Sequence, residues 1–322
     1  MDAATKPLPK TLIEAVRYFA DVDTCVSYLA ARRWPNGVTC PTCGNAHVRF
    51  DRKRRVWTCN TRHPKRQFSV KVGTIFEDSP LGLDKWLPAV WMISGAKNGI
   101  SSHELARALG VTQKSAWFML HRIRLAMQHT NGGGKLGGTV EVDETYIGGK
   151  ARNMHWKKRE ALKLHGRSTQ GKVAVVGLLQ RHSPESVSQI RAVVQDDLHG
   201  RAMHGRIREH VTKGATVHTD AFRSYASVAA EYKHNVIDHA ERYVDGNVHT
   251  NGIENFWALL KRTITGTYVS VEPFHLFRYL DEQAFRFNKR DGNDLTRFEK
   301  TIGGILGRRL TYAALTAAEG RP

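Results

Sequence analysis

Cys40-Pro-Thr-Cys43 is followed fifteen residues on by Cys59 and, after three more, by His63. No other stretch constrains the local fold so tightly. A C-x2-C knuckle turns two sulfurs toward one point, and a Cys-His pair brought across a hairpin completes the four donors that tetrahedral zinc takes. Residues 47–56 alternate enough to be that hairpin. Residues 34–80 are therefore expected to form a zinc ribbon holding one structural Zn2+ at Cys40, Cys43, Cys59 and His63. His47 competes with His63 for the fourth place. A segment this small has no room for a core of its own, so the metal must supply much of its folding free energy. The remaining cysteine, Cys25, lies in an apolar helical pattern and is expected to be a plain buried thiol. Cysteines grouped for metal rather than for disulfides suit a reducing cytoplasm.

The ribbon is also basic. Residues 49–71 hold nine Lys or Arg against one acid, Asp51, and four of them, Arg52, Lys53, Arg54 and Arg55, are consecutive. The whole chain shares the bias: 49 Lys plus Arg against 30 Asp plus Glu give a formal charge of +19. Such an excess disfavours an enzyme for small cationic ligands and favours a polyanionic partner, nucleic acid ahead of an acidic membrane surface. The first residues carry no apolar leader, and no apolar run reaches about 18 residues, so neither secretion nor a membrane span is expected.

Residues 101–117 fit a helix-turn-helix. Leu105, Ala106 and Leu109 make one apolar face, Gly110 supplies a positive φ at the turn, and Thr112 caps a second helix. Gln113 and Lys114 stand at the N-terminal end of that helix, where base edges would be read. A helical hairpin ending in a glycine cap shares the same pattern.

At 322 residues the chain has room for two or three domains. The expected divisions are N-terminal helices (1–33), the zinc ribbon (34–80), a helix-turn-helix DNA-binding domain (81–130), a catalytic domain (131–290) and a C-terminal tail (291–322). The glycine-rich stretch 131–138 marks the principal boundary. Beyond it, strands are expected at 140–146, 173–179, 189–194, 216–218 and 235–237, and helices at 201–212, 221–230, 250–263 and 273–288. That succession suits a multidomain α/β chain whose second half is a mixed β-sheet flanked by helices. A second basic cluster, residues 150–172, holds eight Lys or Arg against Glu160. It includes Lys157, Lys158 and Arg159 and is expected to clamp a DNA backbone.

Three acids in this half form a pattern. Asp143 ends an alternating strand, Asp220 follows a second short strand, and Glu254 lies on a helix, with 33 residues between Asp220 and Glu254. Acids leaving adjacent strands, with a third from a flanking helix, can converge on two Mg2+ (or Mn2+) ions that activate a water or 3′-hydroxyl. Lys261 lies two turns beyond Glu254 on the same helical face and would meet a phosphate.

The run Val142-Asp143-Glu144-Thr145-Tyr146-Ile147-Gly148-Gly149, Thr219-Asp220 with Tyr225, and His249 to Trp257 leading to Lys261-Arg262 resemble the bacterial insertion-sequence transposases of the DDE type that carry an N-terminal zinc ribbon. The ribbon's Gln67 to Val70 and Gly73 to Glu77, and the segment from Arg278 to Arg290, extend the resemblance over nearly the whole chain. The family implies an RNase H-like core and metal-dependent cutting and joining of double-stranded DNA at the element's terminal inverted repeats and at a target. It also implies a homo-oligomer on DNA, placed at the nucleoid. By its pattern Asp143 and Asp220 are the first two catalytic acids; Glu254 is the expected third, with Asn251, one turn earlier, as rival.

Two other readings share some of these residues. His275 and Arg278 make the H-x-x-R of tyrosine recombinases, with Tyr312 as nucleophile and no metal. A DNA-binding regulator with an inert core would keep the ribbon and the helix-turn-helix alone.

Overall fold

The computed structural model describes residues 7–128, 133–149, 156–161, 171–184, 186–220, 225, 228–237 and 249–317. The chain begins with two capped helices, α1 (Leu12–Tyr18) and α2 (Val22–Arg33), and a three-stranded antiparallel sheet of β1 (Val48–Asp51), β2 (Val56–Cys59) and β3 (Gln67–Phe68). Three helices follow: α3 (Leu83–Gly95), α4 (Ser102–Leu109) and α5 (Gln113–Gln128). Next come β4 (Thr139–Ile147), α6 (Trp156–Ala161), β5 (Val173–Gln180), β6 (Gln189–Val194), α7 (Gly200–His210), β7 (Thr216–Asp220) and β8 (Lys233–Ile237). The last helices are α8 (Asn251–Thr263), α9 (Leu276–Asn288), α10 (Asp294–Gly303) and α11 (Tyr312–Thr316). The strands and helices expected from periodicity recur within a few residues. Only Val228–Ala230, a 3-10 turn, is described of the helix expected at 221–230 apart from Tyr225.

Two compact units divide the chain: residues 1–130 with 291–322, and residues 131–290. In the first unit, α3 is apolar nearly all round, burying Leu83, Trp86, Leu87, Ala89, Val90, Trp91 and Ile93. A helix of that kind must be enclosed by others. It is met by α1, α2, α5 and α10, with Phe298 of α10 against Trp91, Phe19 and Tyr28. Buried Ser94 and Thr301 share a hydrogen bond within this contact, 3.0 Å long.

The second unit is built on a five-stranded mixed sheet in the order β6-β5-β4-β7-β8. β4 pairs antiparallel with β5 and parallel with β7; β5–β6 is antiparallel and β7–β8 parallel. Both faces are covered. Met203, Ile207, Val211 and Tyr225 pack with Val140, Val142 and Val217 on one side, and α8 and α9 close the other through Ile253, Phe256, Trp257, Leu260 and Leu280. A Cβ at Gly177 of β5 would lie 2.6 Å from the Trp257 ring, so that glycine is what lets α8 approach the sheet. Among the described residues no helix is long and apolar enough to cross a membrane.

Candidate functional site

The ribbon's donors meet at one point. Asn45 accepts from the Cys40 amide at 2.9 Å, and the Gly44 amide returns to the Cys40 carbonyl at 2.8 Å with φ of +75° at Gly44, which closes the first knuckle. The hairpin register then carries Cys59 opposite Val48, and the chain beyond it brings in His63. The ligand atoms of Cys40, Cys43, Cys59 and His63 all lie within 4.8 Å of one another. Cys40 Sγ is 3.4 Å from His63 Nε2, and Cys43 Sγ is 3.6 Å from Cys59 Sγ. The edges of a tetrahedron with Zn–S and Zn–N bonds of ordinary length are about 3.8 Å and about 3.5 Å. The donor set therefore fits one zinc ion. His63 is the fourth member of the cluster, and His47 stands exposed outside it. Burial opposes ionisation of Cys40, but the Cys43 and Thr42 amides directed at its sulfur outweigh it and bring the thiol down to about 6. Cys25 is fully buried in α2, where desolvation pushes its thiol up to about 12.

Arg52, Lys53 and Arg54 are exposed at the ribbon's hairpin, with Arg54 donating to Gln67. Arg55, at φ of 54°, turns back to pair with Asp23 of α2. The α4–α5 corner forms as its caps dictate. Ser101 and Glu104 make a reciprocal box at the start of α4, Gly110 ends it in the left-handed region at φ 62°, and Thr112 accepts from the Ser115 amide to start α5. Gln113 and Lys114 are exposed there. Gln113 donates to Ser102 at 2.8 Å, and the Lys114 ammonium lies 4.7 Å from the centre of the Tyr312 ring. In the second unit Lys157 is exposed on α6 beside Trp156. Lys158 and Arg159 share that helix, but their side chains lie outside the described residues, as do Lys150, Arg152, Lys163 and Arg167.

The acids are brought together by register. The β4–β7 ladder runs from Thr139 with Thr216 to Glu141 with His218, and two more steps put Asp143 level with Asp220. Residues two apart share a face of a strand, so Glu141, Asp143, His218 and Asp220 all belong to the face that α8 covers. Successive helical residues turn by about 100°. Ile253, Phe256, Trp257 and Leu260 therefore point into the core, while Asn251, Glu254 and Lys261 occupy the exposed face. The Trp257 indole donates to Asp143 Oδ2 at 2.8 Å, and the Glu144 amide donates to Oδ1 at 2.8 Å. Glu254 accepts from Thr250 at 3.2 Å. Desolvation raises Asp143 to about 6; the Trp257 and Glu144 hydrogen bonds oppose that, and the Asp220 and Glu254 carboxylates add to it by repulsion. Asp143 thus feels both of the other acids. Their oxygens form a looser group than the ribbon donors, since the ribbon set is the cluster that closes within 4.8 Å among the described residues.

Sequence reasoning gave no role to three further members, Glu144, Glu141 and Arg181. Glu144 points to the opposite face of β4, where the buried Tyr225 hydroxyl donates to it; desolvation raises Glu144 to about 7, and the repulsion of Asp220 and Asp143 contributes. Glu141 is buried and accepts from Arg181 Nε at 2.6 Å and from the Ile253 amide at 2.8 Å. Arg181 also donates to the His249 carbonyl. A buried acid two residues before Asp143 was the available signal. His275 and Arg278, by contrast, belong to α9 and the turn before it in the second unit, with Arg278 against Asp281, whereas Tyr312 belongs to the first unit on α11.

Comparison with known proteins adds two matched segments. Residues 21–61 match the transposase zinc-ribbon domain, and residues 135–288 match the ISXO2-like transposase domain. An uncharacterized protein in transposable element ISH50 of Halobacterium salinarum is 28% identical over 263 residues, covering 78% of this chain and 85% of that protein.

Proposed function

We propose that this chain, whose two matched segments are those of a transposase zinc-ribbon domain and an ISXO2-like transposase domain, cuts a DNA strand at the ends of its own element and joins the freed 3′ end to a target. The observation that carries this reading is the parallel β4–β7 pairing, which, continued two residues past Glu141 and His218, would set Asp143 level with Asp220 on the face that α8, bearing Glu254, covers. The sheet order, an antiparallel three-strand meander extended by two parallel strands, supports reading the second unit as an RNase H-like core. Carboxylates that repel one another suit divalent cations, so Asp143, Asp220 and Glu254 would hold two Mg2+ or Mn2+ ions, with Asn251 the alternative to Glu254. Bound there, the ions would activate the attacking water or 3′-hydroxyl and stabilise the leaving oxygen.

The chain's own groups divide the remaining work. Trp257 fixes one oxygen of Asp143, and Lys261, exposed on the face of Glu254, neutralises a phosphate of the strand. The ribbon, riveted by one zinc ion, presents Arg52, Lys53 and Arg54 to the backbone, while Gln113 and Lys114 read base edges from the start of a helix-turn-helix. Double-stranded DNA is then the partner, bound by more than one copy of the chain at the nucleoid.

A nicking and strand-transfer assay on element-end DNA tests the reading. Activity with Mg2+ or Mn2+ that vanishes in Asp143→Ala and Asp220→Ala with DNA binding intact supports it. Cleavage in the presence of a chelator, or a covalent DNA adduct on Tyr312, would sink it. Tight DNA binding without any nicking would favour the regulator.

A further inference from the structure

Glu141 and Arg181 have no part in the reaction as described, yet both are committed to one place. Glu141 is 1% exposed and sits on β4 two residues before Asp143, on the same face. Its Oε1 accepts from Arg181 Nε at 2.6 Å, and its Oε2 accepts from the Ile253 amide at 2.8 Å, in the first turn of α8. Thr250, which precedes that helix, provides no side-chain cap to its amides, so the carboxylate of a different element does this. Arg181 follows β5 and completes the triangle by donating to the carbonyl of His249, one residue before Thr250. The contact is close: a Cβ at Gly252 would lie 2.9 Å from Glu141 Oε2 and 3.1 Å from Leu179. One strand, the end of a second and the start of a helix are thereby tied at a single buried ion pair.

We infer that Glu141 and Arg181 are positioning residues that lock the first turn of α8 to β4 and so set the distance of Glu254 from Asp143. A helix held only by its apolar side could slide or roll over the sheet; a charged hydrogen bond to its first turn fixes both its height and its rotation. Packing alone already holds α8 to the sheet through Trp257 and Ile253. The ion pair therefore governs placement of the acids more than attachment of the helix. This rests on the proposed role of the three acids.

The test uses the full-length protein and reads Mn2+ binding by electron paramagnetic resonance, hydrogen exchange at the Ile253 and Glu254 amides, and Tm. Arg181→Met should weaken Mn2+ binding by roughly 10- to 100-fold, the usual range for groups that orient ligands, and speed exchange of those two amides. Arg181→Lys should recover part of both. Gly252→Ala, which keeps every charge, should repeat the loss by steric displacement, and serves if Arg181→Met does not fold. Variants that lower Tm but leave Mn2+ affinity and amide protection at wild-type values would overturn the inference, provided Asp143→Ala loses Mn2+ in the same assay. If Asp143→Ala also keeps its Mn2+, the assignment of the acids fails and this inference falls with it.

Discussion

The zinc cluster of the ribbon and the proposed acid site of the second unit differ in what holds their donors. In the ribbon, four ligands within a stretch of 24 residues converge because two knuckles and one hairpin leave them nowhere else to go, and they close within 4.8 Å. In the second unit, Asp143, Asp220 and Glu254 come from two strands and a helix spread over more than a hundred residues, and only a sheet register and a packed helix bring them near. Thiols and an imidazole on a small sheet make a closed site that acts as a rivet. Carboxylates on a large core make a more open one, and the proposal assigns it two ions. On that reading the first site needs its metal in order to fold, and the second needs a fold in order to take its metal.

The largest expected effect breaks the ribbon alone. Cys40→Ser, or a strong chelator, should release about one zinc ion per chain and remove on the order of 10 kcal/mol of metal-linked folding free energy. Hydrogen exchange should then show β1 to β3 unprotected while the five-stranded sheet keeps its protection. Loss of both together would erase the distinction between the sites.

Breaking the acids should have the opposite signature. Asp143→Ala or Asp220→Ala is expected to lower nicking by about 10³-fold or more with Tm unchanged or raised and zinc content unaltered. Glu254→Ala and Asn251→Ala, compared under the same conditions, identify the third ligand: the inactive, folded variant carries it. A Tm drop in Asp143→Ala comparable to that of Cys40→Ser would mean that this acid is structural.

A smaller effect lies in pH. Burial raises Asp143 to about 6 and Glu144 to about 7, so between about pH 4 and pH 7 the native chain binds more protons than the unfolded one. These groups therefore make stability fall as pH rises through that window, by up to about 6 kcal/mol. Thermal melts without added divalent ion should show the decline, Mg2+ should reverse it at pH 8, and Asp143→Asn should flatten it. A second unit that gains stability over the same range would contradict the burial argument.

The smallest effect separates reading from holding within the first unit. Gln113→Ala should reduce the preference for element-end over random DNA by about tenfold, while Arg52→Ala should weaken both DNAs alike. Competition binding at fixed salt distinguishes them, and equal losses on both DNAs in Gln113→Ala would remove the α4–α5 corner from base reading.

How much could be read in advance follows from the same contrast. The zinc ligands are legible because their spacing is local, although choosing His63 over His47 took the geometry at Cys40. Asp143 and Asp220 are legible as acids on neighbouring strands, but that Asp143 sits mid-strand in β4 while Asp220 ends β7, and that the pairing begun at Thr139 with Thr216 would bring them level, depends on the register. Glu141 and Arg181 stayed hidden because each looks like a surface charge until β4 is known to be covered by α8. Arg181 lies 40 residues from its partner, and no periodicity encodes that. Phe298 was hidden for a related reason: its ring finds Trp91 some two hundred residues away.

That contact between α10 and α3 has a consequence during synthesis. The helix α3 emerges early with an apolar surface that waits for Phe298 and Thr301, and the whole of residues 131–290 must be translated before those side chains exist. At elongation speeds of about 5–20 residues per second, that interval lasts roughly ten seconds or more. The unit bearing the acids is complete on the ribosome before the unit bearing the ribbon can close its core. A chain stopped short of residue 291 would thus keep a foldable sheet yet lack the helix that seals the domain it was tethered to.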